Sequence, residues 1–188
     1  MSRIERLAVG ISGASGTVYG VRLLEALRDA GIETHLIFTS AAEEVARREL
    51  DQTPEQIRAL AAYVHSDDNI GAPLASGSFP VDGMVIVPCS IKSLSAVANS
   101  YCDSLLVRAA DVNLKEGRPL ILVVRETPLH LGHLRLMERA AEQGAVILPP
   151  MPAFYHRPTS IQDLVDQTVG KILDRLGVPH DLYRRWSG

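Results

Sequence analysis

The chain is short of the features that staple or anchor a fold. Of its 188 residues, two are cysteines, Cys89 and Cys102. They stand in no C-x-x-C pair, which argues against a disulfide framework or a zinc knuckle and leaves both as small apolar side chains in a reducing compartment. No stretch approaches the ~18 consecutive apolar residues of a membrane span. The N-terminal stretch Met1–Arg6 carries Glu5, and the apolar run after it is broken by Gly10, Ser12 and Gly13, too early for a signal segment. A cytoplasmic protein is expected. Charge of one sign is missing too: the formal net charge is −3, with no basic stripe and no block of like charges, so neither a nucleic-acid nor a membrane partner is expected. There is no G-x-x-x-x-G-K-[ST] phosphate loop. His130 and His133 have helical spacing but no third ligand, so no metal site is expected there. Asp67-Asp68 lacks the further carboxylates of a magnesium–diphosphate site and reads as a solvated turn.

What is present is an ordinary globular composition, 46% hydrophobic and 22% charged, sufficient for one core and one domain over residues 1–188. Short apolar runs alternate with amphipathic stretches. Leu7–Ile11, Thr34–Phe38, Gly83–Val87 (stopped by Pro88), Leu120–Val124 and Val146–Leu148 read as strands. Helices are expected over Thr17–Ala30, Ala41–Leu50 with Ser40 as cap, from the Thr53–Gln56 capping box onward, and over Ile91–Ala98, Ser104–Lys115, Leu131–Gln143 and Ser160–Leu176. Asn69–Pro80 reads as a loop. Continuous apolar strands separated by helices predict an α/β, Rossmann-like, doubly wound and mainly parallel sheet with helices on both faces. Ligands in such sheets bind beyond the carboxyl ends of the strands. That rule selects Ser12–Gly16, Thr39–Ser40, Pro88–Ser93, Arg125–Glu126 and Pro149–Tyr155.

The loop Gly10-Ile-Ser-Gly-Ala-Ser-Gly16 joins the first strand to the first helix, where small residues and free N–H groups favour an anion. Glycines at such a turn also serve packing alone. A dinucleotide would call for a carboxylate at the end of the second strand. That end is Phe38-Thr39-Ser40, with Glu33 before the strand, and its hydroxyls suit a ligand such as FMN better. Arg125-Glu126 ends the most apolar strand; it reads either as a phosphate clamp with a proton donor or as a local ion pair. Arg108 and Lys115 are two turns apart on one helix and share a face, with a solvated face as the alternative. Lys171 carries the same alternative, and Tyr155 reads as a ligand contact or a packed core ring.

The segments Gly13-Ala-Ser-Gly16, Ser76-Gly-Ser78, Pro88-Cys-Ser90, Arg108-Ala-Ala-Asp-Val-Asn-Leu-Lys-Glu116, Arg125-Glu126, Pro149-Pro-Met-Pro-Ala-Phe-Tyr155 and Arg185-Trp186 together resemble the flavin prenyltransferase family over nearly the whole chain. The resemblance implies a flavoprotein of the homo-oligomeric flavin-containing decarboxylase type of fold. It implies a metal-independent transferase that moves a dimethylallyl group from dimethylallyl monophosphate to N5 and C6 of reduced FMN. It places FMN against Gly13, Ala14, Ser15, Thr39, Ser90, Ile91, Lys92, Ser93 and Arg125, and the prenyl phosphate against Arg108, Lys115, Arg125, Glu126, Tyr155 and Lys171. Ser15, Glu49 and Glu126 are the implied catalytic residues. The implied assembly is a homododecamer with sites shared between neighbouring subunits, and the product, prenylated FMN, would serve a UbiD-like decarboxylase in ubiquinone synthesis or aromatic-acid decarboxylation. Lys171 stands where many members have arginine, and Val124 where many have proline. The competing readings are an FMN-dependent cysteine decarboxylase, against which Pro150-Met-Pro-Ala153 lacks that group's asparagine, and a flavin carrier without a second phosphate pocket.

Overall fold

The apolar runs become the strands of one sheet in a computed structural model that describes residues 4–186. The strands are β1 (Arg6–Ile11), β2 (Glu33–Phe38), β3 (Tyr63–His65), β4 (Met84–Cys89), β5 (Leu120–Val124) and β6 (Val146–Ile147). Every pairing is parallel, in the order β3-β2-β1-β4-β5-β6. The helices are α1 (Thr17–Asp29), α2 (Ser40–Glu49), α3 (Pro54–Arg58), α4 (Ile91–Ala98), α5 (Leu105–Lys115), α6 (Leu131–Glu142) and α7 (Ile161–Leu176).

Side chains alternate across a strand, so each strand feeds two cores. Leu7, Val9 and Ile11 of β1, with Val85, Val87, Ile121 and Val123, pack against Leu23, Leu24 and Leu27 of α1 and Val169, Ile172 and Leu173 of α7. Ala8, Met84, Ile86, Leu120, Leu122 and Val124 face Leu94 of α4, Leu105 and Ala109 of α5 and Ala140 of α6. Each fully buried leucine or isoleucine contributes about 1.5–3 kcal/mol of transfer free energy. This two-faced burial explains why the strands read as unbroken apolar runs.

The structure departs from the sequence reading at several points. β4 is not stopped by Pro88 but runs on to Cys89. The register with β5 shifts between Ile86 and Cys89, so the missing proline N–H falls where the ladder is irregular. Glu33 lies inside β2 and not before it, opposite Arg6 in register and paired with its guanidinium. The edge strand β3 is too short and too polar for a periodic signal; its Tyr63 stacks on His35 of β2 with ring centroids 4.8 Å apart. The cap of α2 is Thr39 and not Ser40: the Thr39 hydroxyl accepts from Ala42 N at 3.2 Å. Asp67 is no idle turn residue. Its carboxylate accepts from Leu106 N at 2.8 Å and its carbonyl from Leu105 N at 2.7 Å, which supplies the cap that Ser104 does not give α5.

Candidate functional site

β1 and β4 are sheet neighbours, but the helices that follow them leave to opposite faces. A crevice opens between their carboxyl ends. It forms a cleft of about 360 Å³ bounded by Ser12 and Gly13, by Thr39–Ala41, by Ser90–Ser93, by the start of α5 and by Glu126. Ser12 does not offer its hydroxyl to a ligand. Buried at 1% exposure, it donates to Pro88 O at 2.9 Å and accepts from Ser90 N at 2.8 Å, stapling the first loop to the fourth strand.

The two helix starts at this crevice differ. At α4, Ser90 caps the helix by accepting from Ser93 N at 3.2 Å, and the two hydroxyls lie 3.1 Å apart. No acidic residue stands in the first turn, and Lys92 does. The helix dipole, the two hydroxyls and the ammonium make this end suitable for a phosphate. At α1 the anion is already supplied. Gly16 takes the left-handed φ of 104° and gives no side-chain cap. In its place Glu49, from the end of α2, accepts from Gly16 N at 2.9 Å and Thr17 N at 3.0 Å. Partial burial works to raise the Glu49 pKa, but hydrogen bonds from the Ser15 hydroxyl and these two amides outweigh it and hold the carboxyl below its ordinary value. Glu49 is therefore an ionised acceptor at neutral pH. The anion expected at the glycine loop is a side chain of this chain itself.

Arg125 and Glu126 do not form the local pair that the sequence left open. Consecutive residues at a strand end point to opposite sides. Glu126 borders the first cleft, where its own side chain accepts from Thr127 N at 2.9 Å. Arg125 borders a second cleft of about 350 Å³ with Ser15, Tyr19, Glu49 and Pro150. Tyr19 was not singled out from the sequence, although a polar ring in the first turn after the glycine loop was the available signal. Burial raises its pKa and Arg125 moderates the rise.

The remaining expected residues do not join these clefts within one chain. Arg108 pairs with Asp111 at 2.9 Å and donates to Ala75 O at 3.2 Å, and Lys115 pairs with Glu116 beside Gly77. The start of α5 borders the first cleft, whereas Lys115 ends that helix, roughly 14 Å away at 1.5 Å per residue. The shared face of Arg108 and Lys115 thus looks onto the Ala75–Gly77 loop. Lys171 borders a separate groove with Pro149 and Met151. Tyr155 is no core ring: it is 49% exposed, with Trp186 edge-on at 5.9 Å. His130 is the cap of α6, its Nδ1 accepting from Gly132 N at 3.0 Å, and among the described residues no group of three or more His, Cys, Asp or Glu is placed to hold a metal. No helix among them is long and apolar enough to cross a membrane.

A family model described as Flavoprotein matches residues 1–173. The flavin prenyltransferase UbiX of Escherichia coli K12 is 58% identical over 188 residues, covering 98% of this chain and 100% of that protein. A crystal structure of AnUbiX (PadA1) in complex with FMN and dimethylallyl pyrophosphate superposes with a TM-score of 0.97 at 48% identity, covering 99% of both chains. A dodecameric FMN-dependent UbiX-like decarboxylase from Escherichia coli O157:H7 gives 0.95 at 43% identity, covering 97% of this chain and 100% of that one. With two clefts flanking Arg125-Glu126 at the switch point and this similarity along its whole length, the chain belongs to the flavin prenyltransferases of the flavoprotein family.

Proposed function

We propose that the chain transfers a dimethylallyl group from dimethylallyl monophosphate to N5 and C6 of reduced FMN. The observation that carries this reading is the pair of clefts on either side of Arg125-Glu126, one ending in a phosphate-suited helix start and the other lined by a guanidinium free of any carboxylate partner among the described residues. A carrier needs one such cleft; a transferase with two phosphorylated substrates needs both.

In this reading the FMN phosphate rests at the start of α4, on Ser90, Ser93 and Lys92 with the Ile91 amide, and the rest of the flavin passes Thr39, Gly13, Ala14 and Ser15 toward Arg125. Arg125 steadies the donor's phosphate as its carbon–oxygen bond breaks and the electron pair leaves with the phosphate. Glu126 would hand that leaving group a proton, which requires the donor to reach from the Arg125 cleft to the flavin cleft that Glu126 borders. Reduced flavin supplies the electrons for the new bonds, and the protons it loses need an acceptor. Glu49, held ionised through Ser15, suits that task. Arg108, Lys115, Tyr155 and Lys171 complete the phosphate side from neighbouring copies in an assembly like the dodecamer of the Escherichia coli O157:H7 relative. The product is passed to a UbiD-like decarboxylase, in the cytoplasm.

The test is a mass spectrum of the flavin released after anaerobic incubation with reduced FMN and either dimethylallyl monophosphate or the diphosphate. The expected result is a flavin heavier by one dimethylallyl group with the monophosphate, and a much smaller yield from Glu126→Gln. Product from the diphosphate alone would overturn the donor assignment, and unmodified flavin with both would overturn the transferase.

A further inference from the structure

Past the end of α7 the chain turns back on that helix, and the residues that hold it there converge on one carboxylate. Asp174 accepts from the Tyr183 hydroxyl at 2.6 Å and from Arg185 at 2.7 and 3.2 Å. His180 Nε2 lies 3.0 Å from the same group, and Lys171 Nζ lies 3.9 Å away. The centre of the cluster is sheltered, with side-chain exposure of 5% for His180 and 23% for Asp174, while Arg185 and Lys171 lie at its exposed rim. One turn before Asp174, Gly170 leaves a notch in the helix. A Cβ there would stand 2.5 Å from two atoms of the Tyr183 ring and 2.7 Å from His180 Cε1. The tail therefore has both a pin and a seat on α7. At its far end Trp186 meets Tyr155 edge-on, with ring centroids 5.9 Å apart and planes at 89°.

We propose that Asp174 is a positioning residue for the transfer: by pinning the tail into the Gly170 notch, it sets Trp186 against Tyr155 and holds Arg185 and Lys171 around one carboxylate. The inference rests on the reading of Tyr155 and Lys171 as contacts of the donor's phosphate. Tyr155 follows a proline-rich turn and is half exposed; its ring meets His156 edge-on at 5.5 Å and Trp186 at 5.9 Å, and the Trp186 contact is the one that depends on the tail. Asp174 reaches no cleft of the flavin, and so its loss should act on the donor and not on FMN. Lysine at position 171 sharpens the dependence, because an ammonium lacks the planar fork that would orient itself on a phosphate.

Trp186 is the one tryptophan of the chain, so its fluorescence anisotropy reports the tail alone. The experiment compares Asp174→Asn, Asp174→Glu and Gly170→Ala in the full chain. Gly170→Ala blocks the seat while favouring the helix, so a loss there does not come from a weakened α7. Asp174→Asn and Gly170→Ala should lower the anisotropy and reduce kcat/KM for dimethylallyl monophosphate roughly tenfold to a hundredfold, with FMN affinity within about twofold of wild type. Asp174→Glu should recover most of both. Unchanged anisotropy, or a freed tail with wild-type kinetics, would overturn the pin. A wild-type protein that yields no prenylated flavin would instead overturn the functional reading itself.

Discussion

A single carboxylate decides how the first loop behaves. Glu49 occupies the two amides that begin α1, and removing it leaves them without a partner. Glu49→Ala should cost about 1 kcal/mol, the usual worth of a helix cap, read as a lowered midpoint in thermal or urea unfolding. Because its folded pKa is depressed, the stabilisation is present above the ordinary glutamate value of about 4.3 and is lost as pH falls through the lower folded value. The stability gap between wild type and Glu49→Gln should therefore hold from neutral to weakly acidic pH and close only below that range. A gap that closes near neutrality would show that Glu49 is not held as an anion. Asp174 follows the same sign. Burial works to raise its pKa, but Arg185, Tyr183 and His180, with Lys171 nearby, hold it far below the usual range. Tyr183, partly buried and donating to that carboxylate, is pushed up to about 12. The tail should stay docked through the physiological range, with Trp186 anisotropy flat between about pH 5 and 8.

Among the elements, the junction of β1 with β4 carries the site. Ser12→Ala would strand the Ser90 amide in a buried place, while the Pro88 carbonyl keeps the Ser12 amide at 3.2 Å, a cost of about 1–3 kcal/mol. FMN should then bind more weakly although Ser12 gives its hydroxyl to the protein, as a flavin titration would show; unchanged affinity would detach the staple from the cradle. These elements were largely legible in the sequence, because period and caps are local. The Thr53–Gln56 box forms as such, the last helix starts at Ser160 as expected, and five of the six strands follow from apolar runs. What was illegible depends on distant partners. Pro88 stays in a strand because the register with β5 slips beside it, β3 exists because β2 offers its edge, and Asp67 caps a helix whose start lies far along the chain.

At the scale of the molecule, residue type was legible and address was not. The family resemblance marked Arg108, Lys115, Tyr155 and Lys171 as one set, yet in a single chain they fall in three places. Spacing along a helix tells which side chains share a face, not what that face meets in an assembly. If copies complete one another's sites, Lys115→Ala and Glu126→Gln should each be nearly inactive alone, while their co-expression restores part of the activity through mixed assemblies. Continued inactivity of the mixture, with both variants shown to co-assemble, would mean that one chain holds both residues of a site.

The carboxylate at the start of α1 also bears on selectivity in the cell. NAD, NADP and FAD are abundant there, and their pyrophosphates seek this kind of helix start after the first strand of a doubly wound sheet. Glu49 answers them with a like charge in the place they would take. A mononucleotide bound as proposed, with its phosphate at the start of α4, would avoid that repulsion. The same side chain that closes a helix would thus act as a tethered competitor, present at a fixed effective concentration, against the commonest ligands of its own fold.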